Sequence, residues 1–439
     1  MSAAEAEQLR AALSSYDRGD LEHAKPILLE FARRYPANLQ AETAAGMTLA
    51  ESGDVQGSLP FLQRAHALAP RDADISVNLA VAYLKLEAPL KAVSLLQDAA
   101  QTAPGSAPVH LLLAQAELRA GRTAEATNAF QQTSALLHAQ GVEPQADLLH
   151  DWAVALLQSG RPKEAATLLS ARPDVANNAS LLSVLAEAEE KSGAFQLAVA
   201  HYKSAAELDG SEANLFAYGN ELLQHWSFQP AIEIFRFGVE HYPASDRMEM
   251  ALGIAYYGNN QYGAAVPVFK AELERRPDSA VAADLLGRSC SAISGAQQSG
   301  CDALRTFAQT HPQNAPASLY AAIAILHQPL DQQDTVLADT LLHNALRADA
   351  KLPEAWYQLG VLQQSRNEWQ ASADSLVQAV ALRADFPEAH YRLARAYSRL
   401  GKRDQAEQQI ALQQRYAVET KEAENKRMQE VMTFLTTPN

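Results

Sequence analysis

Large, small and aromatic positions return along the chain at a fixed interval, while the polar residues between them change freely. The clearest copy runs from Pro353 to Ala384 and comes back 34 positions on (353 to 387). Pro353 corresponds to Pro387, Trp356 to His390, Leu359 to Leu393, Gly360 to Ala394 and Leu376 to Ile410. Such a period marks a stacked array of helix pairs, because one pair alone cannot bury its apolar face. No stretch of strict apolar–polar alternation is long enough for a sheet.

A small residue early in the second helix of each pair anchors the register. It falls at Ala24, Ser58, Ala92, Ala126, Ala165, Ala198, Ala231, Ala265, Ala303, Ala338, Ser372 and Ala406. The steps between anchors are 33 to 35 residues, with longer ones from Ala126 to Ala165 and from Ala265 to Ala303. This predicts twelve repeats, the ninth and tenth being the least regular. Five residues before the anchor stands Gly19, Gly53, Gly121, Gly160, Gly193 or Gly401, and in two repeats Asn260 or Asn367. Both residue types tolerate the left-handed conformation that ends a helix. Pro36, Pro70, Pro104, Pro243 and Pro277 lie twelve residues after their anchors and stop the second helix. An apolar residue four positions after the anchor (Leu28, Leu62, Leu96, Phe130, Phe235, Phe269) shares its face. Helices of about 12 to 15 residues are marginal alone in water, so stacking must stabilise them.

These positions resemble the tetratricopeptide-repeat family, whose unit carries Trp, Leu-Gly, Tyr, Ala, Phe and Pro in order. The eighth repeat matches with Leu252, Gly253, Tyr256, Ala265, Phe269 and Pro277, and the seventh with Tyr218, Gly219, Ala231, Phe235 and Pro243. The eleventh supplies Trp356, Leu359 and Gly360. The resemblance, with the texture of multi-repeat bacterial members, implies an all-α solenoid of about twelve helix–turn–helix repeats in a right-handed superhelix. Its first helices would line a concave groove that binds protein or peptide. The expected division is a solenoid over residues 1–414 and a capping helix and tail over 415–439. In that tail Met428, Val431, Met432, Phe434 and Leu435 form an apolar stripe, suited to a cap or to a dimer contact. Longer connections, HAQGVEPQAD after Leu137, Ser294 to Gly300, and Pro329 to Asp334, would map to surface loops.

Composition narrows the function. Net charge of -15 disfavours nucleic acid, which needs clustered Lys and Arg to displace counterions. No run of about 18 apolar residues is present, so membrane insertion is not expected. The N-terminus lacks a basic region followed by an apolar core, so a cytoplasmic protein is expected on the chain as given, and an exported or periplasmic one if a signal peptide has been removed.

Catalytic spacings are missing: there is no Walker A loop, no G-x-G-x-x-G after a strand, no H-E-x-x-H and no G-x-S-x-G. The histidines include no i, i+4 pair and no cysteine neighbour at metal-ligand spacing. Neither enzyme activity, a cofactor nor a metal is therefore expected. Cys290 and Cys301 fall in one repeat, where either a disulfide or two buried thiols fits; a disulfide would argue for an oxidising compartment.

Carrying the family's groove-facing phases across gives Phe216, Asn220, Met250, Ile254 and Tyr257, then Tyr357, Tyr391, Arg395 and Arg399, as candidate binding residues. The paired Lys and Asn with which some members grip a C-terminal carboxylate are missing, Met250 and Ile254 standing where a basic residue would be wanted. Apolar and tyrosine-bearing phases suggest an extended or helical apolar peptide. The expectation is a non-enzymatic interaction scaffold. The alternative is a self-associating or accessory subunit of an envelope or export assembly.

Overall fold

The computed structural model describes residues 1–276, 279–293, 301–327 and 332–436, with side chains as far as residue 422 and without that of residue 280. Pro277, the Ser294–Gly300 connection, residues 329–331 and the side chains of the C-terminal apolar stripe lie outside the described residues. The chain divides into two compact halves, Met1–Leu208 and Asp209–Asn439.

Among the described residues there are 24 α-helices and no strand. The N-terminal half holds α1 (Ala3–Asp17), α2 (Leu21–Arg34), α3 (Leu39–Glu51), α4 (Val55–Leu68), α5 (Ala73–Lys85) and α6 (Pro89–Thr102). It continues with α7 (Ala107–Arg119), α8 (Thr123–Ala139), α9 (Ala146–Gln158), α10 (Pro162–Ser170), a short 3-10 turn at Pro173–Asn177, α11 (Ala179–Ser192) and α12 (Phe195–Leu208). The C-terminal half holds α13 (Glu212–Gln224), α14 (Phe228–His241), α15 (Asp246–Gly258), α16 (Tyr262–Arg275), α17 (Ala280–Ala292) and α18 (Asp302–Thr310). Then come α19 (Ala315–Leu326), α20 (Gln332–Ala348), α21 (Pro353–Ser365), α22 (Trp369–Leu382), α23 (Pro387–Arg399) and α24 (Arg403–Thr436). Six repeats thus make each half, every odd-numbered helix being the first of its pair.

Local chemistry starts these helices where the register requires. Asn38, Asp72, Asn178, Ser245, Ser279 and Asn314 each precede a first helix and accept a backbone N–H of its first turn. Such a cap contributes about 1 kcal/mol. Between the helices of a pair, Gly19, Gly53, Gly121, Gly160, Gly193 and Gly401 take φ of 72° to 87°, and Asn260 and Asn367 take 58° and 61°. Glu87 (54°) and Trp226 (60°) occupy the same place in repeats three and seven. The turn is thus set by the fold, and these two residues bear its conformational cost. Glu87 is exposed, so Glu87→Gly is expected to stabilise by about 1 kcal/mol by removing Cβ strain. A thermal melt checks this; an unchanged or lower midpoint contradicts it.

The anchors are fully buried from Ala24 to Ala265 and again at Ala338 and Ser372, with Leu28, Leu62, Leu96, Phe130, Phe235 and Phe269 beneath them. Each of those large side chains contributes about 1.5–3 kcal/mol by leaving water. The first helix approaches so closely that a Cβ on Gly253 would lie 2.8 Å from Phe269. The core is therefore a succession of clusters, the longest running from Ala265 to Leu362.

Repeat nine departs from the register. Ala303 is only half-buried, and Leu304 with Ala308 takes the buried places one residue on. Here α17 packs on α16 and α19 and only slightly on its own partner α18. Gly287 permits this: a Cβ there would lie 2.0 Å from Tyr320 Cβ. A disulfide joins Cys290, at the end of α17, to Cys301, the residue that caps α18, with their Cα atoms 5.6 Å apart. At the C-terminus α24 runs unbroken through residues 414 and 415.

Candidate functional site: the first-helix face of the C-terminal half

Two clefts open on the first helices of this half, and both follow from the way the pairs stack. The upstream cleft, about 370 Å³, is walled by α17, α19 and α21. Because Gly287 lets α19 close on α17, Tyr320 lies under the Asp284–Arg288 pair, whose Nε and Oδ2 are 2.9 Å apart. The Arg288 guanidinium carbon stands 5.5 Å from the Tyr320 ring centroid. Burial, reinforced by Asp284, pushes the Tyr320 phenol well above its ordinary range, so it stays a neutral hydrogen-bonding group. On the opposite wall Arg383 meets Glu354 at 3.3 Å and lies 3.4 Å over the Phe386 ring. Its Nε is buried without a hydrogen-bond partner. Each wall thus carries its own ion pair, and the charges that line the cleft balance.

The downstream cleft, about 590 Å³, lies between α21, α23 and the middle of α24. Tyr357, Tyr391, Glu388, Arg392, Gln413 and Lys421 line it. Tyr357 packs 4.9 Å from the Phe386 ring, which fixes its orientation. Burial pushes its phenol upward, against an opposing hydrogen bond from Arg392. Tyr391 is 53% exposed, a large aromatic surface held open to solvent on a rigid helix. An aromatic wall with hydroxyls and charges at its edge suits a side chain and backbone of a polypeptide.

The nine candidate binding residues separate into three groups. Tyr357 and Tyr391 come together in the downstream cleft. Arg395 and Arg399 continue from Tyr391 along α23, exposed, with their guanidinium carbons 5.9 and 5.3 Å from the Trp369 ring centroid. Phe216, Asn220, Met250, Ile254 and Tyr257 lie on α13 and α15, half-buried. Phe216 sits 6.0 Å from Phe235 and beneath Arg247 at 4.6 Å, while Met250, Ile254 and Tyr257 pack against the long core. Asp284, Arg288, Tyr320, Glu354 and Arg383 were not among the candidates.

Stacked antiparallel helix pairs with one face built from first helices define a helical-repeat solenoid, and no described helix is long and apolar enough to cross a membrane. Tetratricopeptide repeat models match residues 43–107 and 217–287, 87–142, and 387–411, and the chain carries tetratricopeptide repeats. It is by class a protein-interaction scaffold. No curated protein matches it. Among solved structures it is similar to a chain of Naa15/Naa10 bound to HypK-THB, at 13% identity and TM-score 0.39, covering 93% of this chain and 68% of that one. It is similar also to a chain of the APC/C hetero-tetramer Cut9-Hcn1 (14% identity, TM-score 0.36, 99% and 93% covered) and to MamA (17%, 0.36, 44% and 96%).

Proposed function

We propose that the chain is a non-enzymatic scaffold that holds a protein or peptide segment against the first-helix face of its C-terminal half, with Tyr357 and Tyr391 as the main contacts. The observation that carries this is the downstream cleft, where Tyr357 is packed in place on Phe386 and Tyr391, on the neighbouring first helix, is left open to solvent. Rigid aromatic surface of this kind provides contact area at low entropic cost. Peptides selected from a random displayed library on the full chain test it. Tyr357→Ala with Tyr391→Ala is expected to weaken the selected peptides at least about tenfold, a loss of ~1.4 kcal/mol, with helicity unchanged. Selected peptides that bind the double variant equally well contradict the assignment of this face.

A second reading concerns the compartment. The Cys290–Cys301 bond supports a chain that works where disulfides persist, as an accessory scaffold of an exported or envelope assembly. Protein taken from its native cells should accept two alkyl groups only after reduction. Two groups accepted without reduction exclude it.

A further inference from the structure

We infer that Arg395, Arg399 and Trp369 form an anchor for paired acidic side chains of the bound segment, an inference that rests on the peptide-binding reading above. The chain as a whole carries 51 acidic and 36 basic residues, so an arginine has carboxylates to spare. Several cations of this half find them: Arg366 meets Asp339, Arg383 meets Glu354, Arg403 meets Glu407 and Arg415 meets Glu419. Arg395 and Arg399 do not. Among the described residues neither makes an ion pair, although two like charges four apart on a helix repel.

What holds them instead is an aromatic ring. Both guanidinium groups lie within cation–π distance of Trp369, at the start of α22. Stacking restrains each planar fork while leaving its N–H donors for a ligand, the arrangement that suits bidentate carboxylate recognition. Lys402 extends the positive surface, its Nζ 3.5 Å from Gln370 beside the tryptophan. Two of the acidic groups nearby are otherwise engaged: Asp374 accepts from Gln370 at 2.8 Å, and Glu407 pairs with Arg403.

Spacing fixes the pattern the ligand must carry. Four residues of α-helix advance about 6 Å, so Tyr391, Arg395 and Arg399 form three stations about 6 Å apart. Alternate residues of an extended chain are spaced at about 6.6 Å. An extended segment therefore places an apolar or aromatic side chain in the tyrosine cleft and carboxylates at the next two alternate positions. The partner is an acidic polypeptide with its charges at every second residue, and the chain's net charge of -15 disfavours nucleic acid as the preferred ligand.

Two fluorescein-labelled peptides test this by anisotropy on the full chain: Trp-Ala-Glu-Ala-Glu-Ala and its counterpart with Gln in place of both Glu. The Glu peptide should bind about tenfold more tightly at low salt, with the preference shrinking as salt rises. In Arg395→Gln with Arg399→Gln the preference should vanish while the melting temperature holds, and Trp369→Leu should reduce it. Failure of the underlying reading looks different: Tyr357→Ala with Tyr391→Ala would then leave both peptides bound. Equal affinity of the native chain for the two peptides, a preference that survives in the arginine variant, or tighter binding of a single-stranded oligonucleotide overturns the inference.

Discussion

Gly287→Ala is expected to destabilise the C-terminal half by about 3 kcal/mol, at the upper end of what overpacking costs. The new methyl group would stand 2.0 Å from Tyr320 Cβ, an atom that no rotamer change can move, and 2.3 Å from its Cγ. Helices α17 and α19 must then separate. Because repeat arrays are held by nearest-neighbour contacts, the damage should stay local to repeats eight to eleven. Amide exchange by mass spectrometry reads this directly: α17 and α19 should exchange faster while α1 to α6 keep their protection. Unchanged exchange in α17 and α19 would show that the close approach is not needed.

Opening the Cys290–Cys301 bond has the second largest expected effect. The bond closes a loop of sequence separation 11, for which chain entropy alone gives about 3 kcal/mol. Its importance is greater because α17 packs only slightly on α18, so little else ties that pair together. Reductant should lower the first denaturant midpoint of the native chain, and Cys290→Ala with Cys301→Ala should reproduce that midpoint without reductant. Identical midpoints of the native chain with and without reductant contradict this account. Since Asp284 and Arg288 stand on the tethered helix, the same treatment should loosen the upstream cleft.

The repeat architecture was legible because the small anchor and the large residue four positions later are dictated by packing, which tolerates few alternatives. Ala92 with Leu96 and Ala265 with Phe269 are buried as their spacing requires. Glycines announced most of the turns, but Glu87 and Trp226 adopt the same left-handed conformation with no sequence signal, since neighbouring contacts impose it. Repeat nine was misplaced by one residue at Ala303 because the connection before it differs in length and its first helix leans on the next repeat. The paired tyrosines of the downstream cleft were visible as groove phases. Tyr320, Glu354 and Arg383 were not, because the upstream cleft depends on the tight α17–α19 contact that only coordinates reveal.

The central claim is that first helices of the C-terminal half are the working surface. Amide exchange of the full chain with and without a library-selected peptide tests it most directly. Added protection confined to α21, α23 and the middle of α24, with α20 and α22 unchanged, is the expected result. Protection concentrated on α20 and α22, or on the N-terminal half alone, would contradict it.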